Sequence, residues 1–153
     1  MTKPCSWFAT WVPLIKIAQA ICHLIVIVLF IDGREQWWFY NTVFLTCSLA
    51  AFFCFFSILV RFFELNGAHM VFNVTDFVCN AILTIVCFSI SGILIYDIWN
   101  MRQGPSKFKY HARLAPVTIG HDAWIRRCAV ASCVLLLAAI LYTITFLKLR
   151  RTC

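Results

Sequence analysis

Residues 12–31 read VPLIKIAQAICHLIVIVLFI, an almost unbroken apolar block. An α-helix rises about 1.5 Å per residue, so about 20 residues cross a hydrocarbon core about 30 Å thick. Similar blocks occupy residues 41–62, 71–96 and 128–147, with more polar connections between them. The sequence therefore predicts an all-α membrane protein, a four-transmembrane-helix antiparallel bundle with spans at approximately 12–31, 41–62, 71–97 and 125–148.

The composition agrees with a chain that lies in a bilayer. Hydrophobic residues make up 63% of the 153 residues and charged residues 12%, whereas about a quarter of a soluble domain is charged. In water the surplus apolar side chains would form large exposed patches. The segments outside the four blocks are short, so we expect residues 1–153 to form a single four-helix membrane domain.

The connections differ in length and charge. Those at about 32–40 and 61–70 are short and contain turn signals, which favours antiparallel neighbours. The third, from about 97 to 127, is long, and it sets Asp97 and Asp122 against Arg102, Lys107, Lys109, Arg113, Arg126 and Arg127. It either binds anionic lipid headgroups or an acidic partner, or is a solvated connection. A short interfacial helix is expected near 121–127.

The net charge of +7 does not indicate nucleic-acid binding, because the cations flank apolar blocks and form no continuous basic face. The same cations leave the orientation open. Six of them lie on the side of the N-terminus and seven on the other side. The excess of Lys and Arg that normally marks cytoplasmic loops is therefore missing.

Among the charged residues inside the predicted helices two stand out, because a charge within a span costs free energy and usually marks a function. Lys16 lies about four residues into the first helix and Asp76 about five into the third, and both helices start on the same side. At about 1.5 Å per residue their side chains should lie at nearly the same depth. We expect an interhelical Lys16–Asp76 pair; the alternative is that each side chain reaches the interface separately.

Polar residues continue along the same face of both helices. They recur at helical spacing as Lys16, Gln19 and His23 in the first helix and as Asp76, Asn80 and Thr84 in the third. We expect these two stripes to face each other. They could conduct protons or ions, since a histidine titrates near neutral pH, or they could hold the helices together by hydrogen bonds.

Other residue types predict which faces pack and which contact lipid. Small residues should permit close contact at Ser89, Ser91 and Gly92 in the third helix and at Cys128, Ser132 and Ala139 in the fourth. Phenylalanines cover nearly all sides of the second helix. That helix is expected to show much of its surface to lipid.

The nine cysteines do not indicate a disulfide framework, a zinc site or a thiol redox enzyme, because most lie inside apolar blocks and no C-x-x-C occurs. Cys5 and Cys153 lie near membrane boundaries and are candidates for palmitoylation. The chain has no glycine-rich phosphate loop and no H-E-x-x-H motif. We therefore predict no catalytic residue, metal or cofactor, and a protein that is not an enzyme.

Four stretches carry a family resemblance: IKIAQ at 15–19, LVRFF at 59–63, DFVCNA at 76–81 and LY at 141–142. With them the chain resembles the MARVEL-domain tetraspan family, which includes myelin-and-lymphocyte proteins, physins, gyrins and occludin. The resemblance implies a role in membrane apposition, vesicle trafficking or cell-junction assembly, with both termini cytosolic. The third connection is more basic than the family would place on the outer or luminal side.

The expected function is that of a non-enzymatic multi-pass protein of the plasma membrane, or of vesicles and endomembranes. It would organise membrane through lipid contacts, its own copies or other membrane proteins. One alternative is a small transporter or channel subunit with a polar path formed by Lys16, His23, Asp76 and Asn80. The other is a small membrane enzyme that acts on lipids.

Overall fold

The computed structural model describes residues 11–63, 69–103, 115–116 and 118–150. These residues form four helices and no strand: α1 (Trp11–Phe30), α2 (Trp38–Phe62), α3 (His69–Arg102) and α4 (His121–Arg150). Each helix is long and apolar enough to cross a membrane. The predicted all-α class and the four long apolar helices are confirmed.

The helices α2, α3 and α4 extend beyond their apolar blocks. Asp97, which was expected in the third connection, lies inside α3. The separate short helix expected near 121–127 is wrong, because these residues form the first turns of α4. Hydropathy falls at the charged helix ends, yet helical packing continues there: Leu94, Asp97 and Met101 are all buried, at a spacing of three or four residues.

A tight turn sets the start of α4. The backbone N–H groups of Ile119 and Gly120 both donate to the Pro116 carbonyl, at 3.0 and 3.1 Å. Gly120 has φ +79°, a left-handed conformation that glycine adopts without steric cost. The helix then begins at the next residue.

The helices pack unequally. α1 contacts both α2 and α4, and α3 packs along most of α4, but α2 and α3 hardly touch although a short connection joins them. An open apolar groove of about 320 Å³ separates α2 from α3. Because α1 and α3 are not neighbours, they occupy one diagonal of the four-helix arrangement.

The outer surface is apolar on all four helices, and α3 shows the most of it. In the most apolar stretch of each helix, 28% of α3 residues are buried, compared with 44% for α1 and for α2. α2 also exposes much of its surface, as the sequence predicts, but α3 exposes more. Phe52, Phe55 and Phe56 are exposed, but the opposite face of α2 carries small residues such as Ala50 and Cys54 that pack inside.

The α3–α4 contact uses small residues, as expected, but only some of those that the sequence suggested. Ser91 and Ser132 are buried and their hydroxyl groups lie 2.7 Å apart. Cys128 and Ala139 are also buried. Ser89 and Gly92 face outward instead, since a Cβ built on Gly92 would meet no atom within 4 Å.

At the end of the bundle where α1 meets α2, Trp124 fills the space inside the turn. Its ring contacts the rings of Phe30 and Tyr40 edge to face, with centroids 5.4 and 5.2 Å away. A Cβ on Gly33 would lie 2.1 Å from Trp124, so only glycine leaves room for the indole. Trp124 therefore ties the first turn of α4 to the α1–α2 connection.

Candidate functional site: buried polar clusters

Three groups of polar side chains lie inside the bundle at different heights. The Asp76 cluster contains Lys16, Arg61, Asp76 and Asn80. The Tyr142 cluster contains Gln19, His23, Cys54, Tyr142 and Thr145. The Asp97 cluster contains Tyr40, Asp97 and Trp124.

The Asp76 cluster joins α1, α2 and α3 at one end of the bundle. Lys16 Nζ lies 2.8 Å from Asp76 Oδ1, and both side chains are fully buried. Arg61 Nη2 lies 2.7 Å from Asp76 Oδ2, with 19% of the arginine side chain exposed. One carboxylate thus binds two cations, one enclosed and one that reaches the surface.

Asn80 completes the hydrogen bonds of this cluster. Its amide nitrogen donates to Asp76 Oδ1 at 2.8 Å, and its amide oxygen accepts from Lys16 Nζ at 3.2 Å. Lys16 Nζ also lies 4.9 Å from the centre of the Phe53 ring on α2, a favourable cation–π distance. A buried ion pair is tolerated only when further hydrogen bonds compensate the lost hydration, and Asn80 supplies them.

The Tyr142 cluster lies deeper and joins α1, α2 and α4. The Tyr142 hydroxyl is 2.9 Å from His23 Nε2 and 3.3 Å from Cys54 Sγ. Gln19 donates to Thr145 Oγ1 at 3.1 Å and accepts from the Cys54 thiol at 3.7 Å. These side chains are buried and connect three helices by polar contacts, although His23 Nδ1 has no hydrogen-bond partner among the described residues.

The two polar stripes therefore do not face each other along their length. The structure brings Lys16 together with Asp76 and Asn80, but Gln19 and His23 contact α4 instead of α3. Thr84 donates to the Asn80 carbonyl of its own helix at 2.8 Å. The diagonal placement of α1 and α3 explains this result, because two diagonal helices meet only where long side chains cross the bundle.

The Asp97 cluster lies at the opposite end and was missed from the sequence. The Tyr40 hydroxyl donates to Asp97 Oδ2, and both residues are buried. Trp124 packs on the Tyr40 ring. A sequence signal was available, because Asp97 continues the buried positions Ile90 and Leu94 at helical spacing.

An apolar layer separates the Tyr142 cluster from the Asp97 cluster. Val26, Phe30, Val43, Leu94 and Leu135 fill it, each at most 1% exposed. Residues 24–30, 43–53, 85–96 and 129–141 of the four helices include no Asp, Glu, Lys, Arg or His. His23 and Phe30 are about 10 Å apart along α1, so the described interior has no charged or histidine side chain over roughly that height. The Ser91–Ser132 hydrogen bond is a polar contact within the layer.

Some expected sites lie outside the part of the chain that the structure describes. These are the palmitoylation candidates Cys5 and Cys153 and the basic residues Lys107, Lys109 and Arg113. The described cysteines are all free thiols, and five of the seven are buried. Among the described residues no group of three or more His, Cys, Asp or Glu is arranged to hold a metal ion.

Comparison of the chain with protein-family models, with curated proteins and with solved structures finds no match. The resemblance to MARVEL-domain proteins therefore rests on the sequence stretches alone.

The Tyr142 cluster yields a test of interhelical hydrogen bonding. Tyr142→Phe keeps the ring but removes the hydroxyl that binds His23 and Cys54, so it should lower the free energy of unfolding by about 0.5–2 kcal/mol. The matched control is Tyr96→Phe, since Tyr96 is 63% exposed on α3, and it should change stability by no more than about 0.5 kcal/mol. Reversible SDS unfolding in mixed micelles measures both; equal effects would contradict the role of the hydroxyl.

Proposed function

We propose that the four helices form an antiparallel transmembrane bundle with both termini on one side of the membrane. Large apolar side chains cover the outer surface, for example Leu49, Ile85 and Leu137, while the Lys16–Asp76 pair is enclosed. Such an arrangement is unfavourable in water and favourable in lipid. The Asp76 cluster also supports the antiparallel order, because it joins the starts of α1 and α3 to the end of α2.

Aromatic residues and spacing support the same placement. Trp11 is exposed at the end that carries the Asp76 cluster, and Trp38 and Trp99 are exposed at the other end, where indoles commonly sit at headgroup level. At 1.5 Å per residue, Asp76 and Asp97 lie about 31 Å apart along α3, close to the thickness of a hydrocarbon core. The two buried carboxylates would then mark its two boundaries.

Within that membrane, we infer that the protein is a non-enzymatic organiser of the MARVEL type, acting in membrane apposition, vesicle trafficking or cell-junction assembly. The observation that carries this proposal is the apolar layer between the Tyr142 and Asp97 clusters. This layer supports a role for the polar clusters in holding the helices together. The broad apolar exterior is then the surface that contacts lipid and other membrane proteins. The proposal that both termini are cytosolic follows the family resemblance.

A transporter or channel subunit is the second candidate, favoured by the buried charges of the Asp76 cluster and by His23. Its path would have to cross the layer filled by Val26, Leu94 and Leu135. The described residues offer no charged or histidine side chain there, and Ser91 and Ser132 hydrogen-bond each other. A lipid-metabolising enzyme has less support, because Cys54 and His23 are buried and neither lines the groove between α2 and α3.

A tagged chain tests the location and the topology together. We expect tags at both termini to be accessible from the cytosol in selectively permeabilised cells and the chain to concentrate at cell junctions or on vesicles. An epitope inserted at 107–109 should be protected from the cytosol. Access to that epitope from the cytosol, or a diffuse distribution over all membranes, would contradict the proposal.

A flux measurement in proteoliposomes distinguishes the membrane-organising function from the transporter function. The purified chain should give no pH-driven proton or cation flux above that of protein-free vesicles, and His23→Ala should leave this background unchanged. A vesicle-entrapped pH dye measures the flux, with gramicidin as the positive control for tight vesicles. A flux that the wild-type chain supports and His23→Ala abolishes would favour the transporter.

A further inference from the structure

A charged cleft lies where the end of α3 meets the start of α4. Arg102, Asp122, Ile125 and Arg126 line it, and its volume is about 360 Å³, at the small end of the range for small-molecule sites. Arg102, Asp122 and Arg126 are exposed, while Ile125 is buried and forms an apolar wall. The cleft is separate from the three buried polar clusters.

The walls of the cleft are fixed by a hydrogen bond between the two helices. The His121 Nε2–H group donates to the Met101 carbonyl at 3.2 Å, because a carbonyl can only accept. Met101 directly precedes Arg102, and His121 directly precedes Asp122. The last turn of α3 and the first turn of α4 are thereby held side by side, with their charged side chains around one opening.

The charged side chains of the cleft form no ion pair within residues 11–63, 69–103, 115–116 and 118–150. Among the described residues neither Arg102 nor Arg126 has an ion-pair partner, and Asp122 has none either. Asp122 and Arg126 stand four residues apart on α4, a spacing at which opposite charges usually pair, yet they remain apart. Two guanidinium groups and one carboxylate are therefore available to a ligand.

The height of the cleft matches the headgroup region. Arg102 lies about 39 Å from Asp76 along α3. With Asp76 and Asp97 at the two boundaries of the hydrocarbon core, Arg102 lies about 8 Å beyond the nearer boundary, at the outer edge of a headgroup layer about 5–8 Å deep. Trp99, one turn before Arg102, is 65% exposed, as expected for an interfacial aromatic residue.

We propose that this cleft binds the headgroup of a zwitterionic phospholipid that carries a primary ammonium, such as phosphatidylethanolamine. The phosphate diester lies between the Arg102 and Arg126 guanidinium groups, which favour planar recognition of phosphate. The ammonium donates to the Asp122 carboxylate, and the glycerol end rests on Ile125. The site depends on the proposed transmembrane placement and is independent of the membrane-organising role.

The Asp122 carboxylate is the group of the cleft that distinguishes between lipid classes. A purely anionic headgroup such as phosphatidylglycerol would bring a phosphate to the arginines but leave Asp122 facing an anion. Phosphatidylcholine has a positive charge but no N–H group with which to bind a carboxylate, and charge-assisted hydrogen bonds are the stronger kind. Phosphatidylethanolamine satisfies all three charged side chains.

Native mass spectrometry of the detergent-purified full chain tests the proposal with dioleoyl lipids. In an equimolar mixture, phosphatidylethanolamine should be retained about tenfold over phosphatidylcholine and phosphatidylglycerol, the ratio expected for one charge-assisted hydrogen bond. Equal retention of the three lipids, preference for phosphatidylglycerol, or no retained lipid would each overturn the proposal.

Substitutions of two exposed residues test the phosphate-binding and the ammonium-binding parts of the site separately. Arg126→Gln should lower retention of phosphatidylethanolamine about tenfold, whereas Asp122→Asn should remove its advantage over phosphatidylglycerol and raise retention of the latter. The matched controls are Arg34→Gln and Glu35→Gln, which remove the same charges in the α1–α2 connection at the same end of the bundle. Controls that change lipid preference as much as the cleft variants would count against the site.

A soluble competitor tests whether the ligand is a lipid or a free phosphoester. Glycerophosphoethanolamine has the same phosphodiester and ammonium groups but no acyl chains, so an equal concentration should not displace the retained lipid. Displacement at that concentration would overturn the assignment to a lipid. Because the readout is lipid retention, its failure would leave the location and flux experiments unaffected.

Discussion

The structure depends on how one carboxylate is buried. Asp76 sits in an apolar bundle, where an isolated charge would cost several kcal/mol, and it is stabilised by Lys16 from α1, Arg61 from α2 and the amide of Asn80. These contacts join α1, α2 and α3 at one end of the bundle, although α1 and α3 are not neighbours. Removing the Asp76 carboxylate would leave the buried Lys16 ammonium without an ion-pair partner, which is more costly than losing an ordinary contact.

The other clusters follow from the same constraint. Polar groups away from water are stable when they form hydrogen bonds with each other. Tyr142 therefore forms hydrogen bonds with side chains of neighbouring helices, and at the opposite end Tyr40 donates a hydrogen bond to Asp97. Between them the bundle is filled mostly by apolar side chains, together with the hydrogen-bonded pair Ser91 and Ser132. The result is a protein whose polar residues connect helices internally, while its outer surface and its charged end at Arg102 and Arg126 remain available to the membrane.

Much of the fold could be predicted because the length of each apolar block, and the depth of a residue along its helix, can be counted from the sequence. Counting residues placed Lys16 and Asp76 at one height, and the structure has them 2.8 Å apart. The sequence of one helix does not indicate which helices lie beside it in the bundle. The partners of His23 were therefore expected on α3, but the structure has them on α4. Asp97 was placed in a connection because hydropathy falls before the helix ends, whereas α3 continues through Asp97 to Arg102.

A double-mutant cycle on Lys16→Met and Asp76→Asn tests the central claim most directly. The free energy of unfolding is measured by SDS titration for the wild type, both single variants and the double variant. If the two side chains form the buried pair, the double variant should lose less than the sum of the single losses by at least about 1 kcal/mol. Losses that add to within about 0.5 kcal/mol would show that the two residues act independently, and would contradict the account.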